Sequence, residues 1–171
     1  MTLWKSRAER ILRTIVVAEK AVALLLVMVI LGVMAAQVIA RYFFQHPLSW
    51  SEEVARLAMI WLTFIAASFV LAERQHVAVE LPGFGMLLNR RQIAAVILVA
   101  SLLMLLGGLP FVLSVYPVGS PSTGISKSYW YGAAIVGLGL MSLHAAAEIA
   151  GLQVRDHKAE QTDHSHSSWE A

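Results

Sequence analysis

Apolar residues gather into four runs, at 21–40, 54–72, 93–116 and 129–150, divided by short polar or turn-forming stretches. A helix rises about 1.5 Å per residue, so about 20 apolar residues cross a hydrocarbon core of roughly 30 Å. The pattern predicts an all-α integral membrane protein with four transmembrane helices. A basic segment at 1–20 precedes a four-helix domain at 21–150, and a polar tail occupies 151–171. In the first segment Leu3, Trp4, Ala8, Ile11, Leu12 and Ile15 recur at helical spacing among Lys5, Arg7, Arg10, Arg13 and Lys20. It is expected to be an amphipathic lead-in lying at the interface, orienting a retained first span. A cleaved signal peptide fits less well, because its apolar run is only about 7–15 residues long. The tail carries His157, His164 and His166 without apolar periodicity and is expected to be disordered.

Within the spans the exceptions to apolarity carry information. Gly32, Ala36 and Ala40 repeat every four residues, a small-residue stripe that lets a second helix approach closely. Gln37, beside them, is costly against lipid and is expected to hydrogen-bond to another helix. Gly107-Gly-Leu-Pro110 predicts a packing kink near Gly107, because the proline removes one backbone hydrogen bond. The fourth span opens on the aromatic belt Tyr129-Trp-Tyr131 and is the richest in small residues, with Gly132, Gly137, Gly139 and Ser142. It is therefore a candidate for close packing. His144 and Glu148, four residues apart near its end, are expected to pair at the interface.

The most structured signal is the stretch 47–80. Pro47 cannot sit inside a helix, and Ser49 with Glu52 reads as a capping box. Glu52 and Arg56 are spaced i,i+4 and Glu53 and Arg56 i,i+3, so both acids are expected to pair locally with Arg56. Trp50, Leu57, Trp61, Phe64 and Ser68 fall near one face, with Glu53 at its mouth. Beyond Glu73, His76 and Glu80 share one side of an extended or weakly amphipathic piece that Pro82-Gly-Phe-Gly85 ends.

Composition sharpens the class. Of 171 residues 58% are hydrophobic and 14% charged, with a mean hydropathy of +0.67. A soluble domain carries roughly 25% charge. With no cysteine, disulfides, thiolate metal sites and cysteine nucleophiles are excluded. The basic residues sit beside membrane spans and not on a folded face, so the net charge of +2 does not point to nucleic acid. Ten of the 13 Lys and Arg fall in the N-terminal segment, second loop and tail. The positive-inside rule then places both termini in the cytoplasm, N-in and C-in.

A transporter that works alone needs a midplane polar site, broken helices or charges within the membrane. The spans offer Gln37, Thr63, Ser68, Ser101 and His144, and no carboxylate at any span centre. A charge there costs about 2.5–3.5 kcal/mol on the lenient insertion scale, so one is placed only for a purpose. This favours an accessory subunit packed on a larger neighbour over a stand-alone small transporter or channel. A four-helix haem or quinone protein is less favoured still: two-histidine ligation needs facing imidazoles, and only His144 lies within a span. Neither an enzymatic role nor a cofactor or metal is expected.

Residues 41–82, RYFFQHPLSWSEEVARLAMIWLTFIAASFVLAERQHVAVELP, resemble the small membrane subunit of the tripartite ATP-independent periplasmic (TRAP) transporters, the DctQ-like family. The matching positions are Arg41, Tyr42, the stretch 48–53, Ala55, Arg56, Trp61, His76, Val77, Val79 and Glu80. Glu80 stands where that family usually has Asp, and Gln75 where Gly is common. The likeness extends over most of 15–150. It implies a multi-pass protein of the bacterial inner membrane. Its implied partners are a large permease subunit, a periplasmic substrate-binding protein and membrane lipids, in sodium-coupled uptake of an organic acid. By the same likeness Trp50, Glu52, Glu53 and Arg56 order the outer end of the second helix. Trp61 and His76 then contact the large subunit, and no substrate or sodium residue is carried over.

Overall fold

The computed structural model describes residues 2–46, 48–73 and 90–152. Pro47, His76, Glu80, the break at Pro82 and the tail histidines lie outside the described residues, as do the expectations placed on them.

Four long helices make up the described chain: α1 (Thr2–Phe43), α2 (Ser49–Glu73), α3 (Arg90–Ser114) and α4 (Ser128–Ile149). Each is long and apolar enough to cross a membrane, so the protein is an all-α membrane protein, as the apolar runs predict. The lead-in and the first span are not separate pieces. α1 is one helix of 42 residues. No Gly or Pro occurs between Thr2 and Leu31, so nothing local stops the helix where the charged segment meets the apolar run. α3 continues through Pro110 to Ser114. α4 ends in a Schellman arrangement: Gly151 takes φ +71°, while the N–H groups of Leu152 and Gly151 donate to the carbonyls of Ala147 and Glu148, each at 3.0 Å.

In the bundle α2 packs between α1 and α4, and α4 packs between α2 and α3. A third of the most apolar stretch of α4 is buried, against 6% for α1 and α3, which makes α1 and α3 the outer helices. The inner faces are built from small side chains. α2 buries Ser51, Ala55, Ala58, Ile65, Ser68 and Ala72, and α4 buries Ala133, Gly137, His144, Ala145 and Ala147. α1 buries Leu12, Val16, Glu19 and Ala23, an alternation of four and three residues. Residues 26, 30, 33, 37 and 40 continue it half-buried. That is the period of a left-handed helix–helix seam.

The small-residue stripe of α1 divides: Ala40 joins the half-buried seam, while Gly32 and Ala36 do not pack within the chain. Gly32 and Ala36 are exposed, and a Cβ placed on Gly32 would meet nothing within 4 Å. Gln37 lies on the inner side of α1, half-buried. Among the described residues Gln37 makes no side-chain hydrogen bond.

Candidate functional site

Two polar clusters fasten the bundle, one at each end of α2. The first forms at its opening turn. Arg56 donates from Nη2 to Glu52 Oε1 at 2.8 Å, an exposed ion pair one helical turn long and the i,i+4 partnership read from the sequence. The capping box is not formed. Glu52 is turned to Arg56, and the turn is closed instead by the Ser51 hydroxyl on Leu48 O.

Glu53 departs from its expected partner. Its carboxylate reaches the loop between α3 and α4, where it accepts from the backbone N–H of Ser122 and of Thr123, each at 3.0 Å. The Thr123 hydroxyl adds a third bond at 2.8 Å. The loop is shaped for this. Gly119 and Ser126 pair as an antiparallel bridge, Ser120 N–H donates to Ile125 O and Lys127 N–H to Val118 O, and Gly124 takes φ +70°. The resulting tip turns two successive N–H groups towards one carboxylate. Glu53 stands in the first turns of α2, level with the loop it binds. Burial raises its pKa, but hydrogen bonds from Thr123, Ser120 and Ser122 outweigh that and lower it to about 2. The expected pairing with Arg56 loses to this geometry because three aligned donors outdo one side chain already held by Glu52.

Below this clamp Trp61 donates its indole N–H to Tyr129 O at 3.1 Å, joining α2 to the start of α4. Trp50 is 43% exposed.

The second cluster lies deeper. Glu19 on α1 accepts at Oε1 from Ser68 Oγ of α2, 3.1 Å away, and the same oxygen is 3.1 Å from His144 Nε2 on α4. All three are buried, at 5%, 0% and 2% exposure. One carboxylate therefore joins three helices. Its second oxygen, Oε2, has no partner among the described residues. At the neighbouring position Lys20 forms a salt bridge with Glu73 at the end of α2. His144 therefore bonds across to α1, and not to Glu148 on its own helix. The charge pattern of residues 1–20 does not single out Glu19. The signal that marks it is its place in the series Leu12, Val16, Glu19 and Ala23, which puts it on the packed face.

The sequence-derived site residues thus divide. Glu52, Glu53, Arg56 and Trp61 make side-chain bonds along the first half of α2, whereas Trp50, in the same opening turn, and Gln37 on α1 make none among the described residues.

Compared with known proteins, the chain matches over residues 30–155 the family described as tripartite ATP-independent periplasmic transporters, DctQ component. A putative TRAP transporter small permease protein of Haemophilus influenzae (strain ATCC 51907 / DSM 11121 / KW20 / Rd) is 26% identical over 103 residues, 57% of this chain and 62% of the relative. A second protein of that description from the same strain is 42% identical over 53 residues, 28% of this chain and 33% of the relative. The sialic acid TRAP transporter permease protein SiaT of Haemophilus influenzae (strain 86-028NP) is 33% identical over 51 residues, 30% of this chain and 8% of that protein. The matched stretch thus spans less than two thirds of the length of each.

Proposed function

The chain belongs to the DctQ component family of the tripartite ATP-independent periplasmic transporters, and from that premise we propose that it braces a large permease subunit in the bacterial inner membrane. The observation that carries the reading is how the carboxylates of the helices are used. Glu52 holds Arg56, Glu53 holds the 122–123 loop tip, Glu19 holds Ser68 and His144, and Glu73 holds Lys20. Ionisable groups near or within a bilayer are kept where they do work. Glu52 works within α2, while Glu53 ties α2 to the loop before α4, and Glu19 and Glu73 tie one helix to another. The outward Gly32–Ala36 stripe and the apolar outer faces of α1 and α3 suit a neighbouring membrane protein.

In this role the subunit has no catalytic chemistry. The assembly takes up an organic acid delivered by a periplasmic binding protein and driven by sodium. Support for the cargo class comes from the relative named for sialic acid, itself an organic acid. The arrangement of Lys and Arg supports both termini in the cytoplasm, with 21–150 as the membrane domain between a basic segment and a polar tail. Reconstitution tests the proposal. Proteoliposomes holding this chain alone should take up no organic acid, and uptake should require a large permease subunit, a binding protein and a sodium gradient. Uptake by this chain alone would refute it.

A further inference from the structure

A cavity of about 530 Å³ opens between α2, α4 and the loop that Glu53 clamps. Its rim is polar, formed by Glu53, Arg56, Ser120 and Lys127, and its wall is apolar, formed by Ile60, Phe64, Trp130, Tyr131 and Ala134. We propose that this cleft binds a membrane phospholipid, with Arg56 and Lys127 holding the phosphate and Ile60, Phe64 and Ala134 lying against the upper hydrocarbon. The reading needs the chain to span a bilayer, and does not depend on what the transporter carries.

The charge at the rim favours an anion. Glu53 is the acid that lines it, and its oxygens are occupied by the N–H groups of Ser122 and Thr123 and the Thr123 hydroxyl. Arg56 meets Glu52 through Nη2, and a guanidinium has five N–H donors to place. Lys127 is exposed and occupies the N-cap of α4, where the helix dipole adds positive potential.

Depth argues for a lipid over a free anion. Phe64 stands eight residues beyond Arg56 on α2, about 12 Å further along the helix. A ligand filling the cleft therefore touches cations at one end and only carbon at the other. That profile suits a charged head on a hydrocarbon body. Tyr129 and Tyr131 beside it, 58% and 43% exposed, are the residue type that settles at headgroup level.

Native mass spectrometry on the delipidated full chain tests this, with phosphatidylglycerol as ligand. Diacylglycerol of the same chains and inorganic phosphate serve as controls. One phosphatidylglycerol should bind, at least tenfold tighter than diacylglycerol, and millimolar phosphate should not displace it. Each cation near an anionic lipid is worth roughly a fivefold factor, so Arg56→Gln/Lys127→Gln should weaken binding about 25-fold. Lys127→Gln alone, which leaves the Glu52 pair intact, should weaken it severalfold and keeps the test open if the double variant misfolds. Equal binding of diacylglycerol, displacement by phosphate, or unchanged affinity in Lys127→Gln would overturn the proposal. So would a photo-crosslinker at Ile60 that captures a polypeptide in cells and no lipid.

Discussion

Gly137 of α4 lies directly against Phe64 of α2. A Cβ added to the glycine would stand 2.6 Å from Phe64 Cβ and 3.0 Å from its carbonyl oxygen. The obstacle is backbone and a Cβ, neither of which can rotate away, so the helices would have to part. Gly137→Ala is expected to destabilise by about 1–3 kcal/mol, the usual cost of overpacking, and Gly137→Leu by more. Gly132 and Gly139 face open space, and alanine there should stay within about 0.5 kcal/mol of the parent. Reversible unfolding in mixed micelles measures all three on one scale.

The clamp on Glu53 should respond to acid. Its folded pKa, about 2, lies below the ordinary value of 4.5, so ionisation favours the folded state. The contribution is fully present above about pH 4.5 and is lost as pH falls towards about 2. The difference in melting temperature between the parent and Glu53→Gln should therefore hold steady at neutral pH and shrink through that window. A difference independent of pH would show that the carboxylate charge plays no part. The same variant should admit protease at the 118–127 loop.

At the three-helix node, His144→Leu leaves a buried carboxylate with Ser68 as its remaining partner. The expected loss is about 3 kcal/mol or more, as when one member of a buried pair is removed. Glu19→Leu/His144→Leu removes both polar groups and should recover part of it, with a coupling energy of about 1–3 kcal/mol. Strict additivity in a double-mutant cycle would count against the node.

Trp61→Phe keeps an aromatic ring, though a smaller one, and deletes the N–H that reaches Tyr129 O. A net loss of about 0.5–1.5 kcal/mol is expected, the ordinary worth of one hydrogen bond. The helical signal in circular dichroism should not change.

Reporter fusions at Ser122 and at the C-terminus should fall in opposite compartments, the first outside and the second in the cytoplasm. Both on one side would overturn the orientation drawn from the Lys and Arg distribution.

What the chain discloses before folding follows the range of the interaction. The helices are legible because a run of about 20 apolar residues is a local property, and the Glu52–Arg56 pair because it spans one helical turn. Close packing on α4 is legible from Gly137 and its small neighbours. The Glu53 contact with Thr123 crosses 70 residues and the Glu19 contact with His144 crosses 125, so no spacing rule reaches them. In both cases a plausible local partner, Arg56 for Glu53 and Glu148 for His144, stood close in sequence and was the wrong one. Glu19 was also masked by its position where basic residues give way to the apolar run.

The unbroken course of α1 has a mechanical consequence. Its 42 residues reach about 63 Å at 1.5 Å per residue. Even a rod inclined by 40° consumes only about 39 Å of that in crossing a 30 Å hydrocarbon slab. Some 24 Å of stiff helix must therefore stand clear of the slab, and Glu19 sits on the same shaft as Lys5, Arg10 and Arg13. A push on that basic tip cannot be absorbed by a hinge; it arrives as torque at the point where Ser68 and His144 grip the shaft.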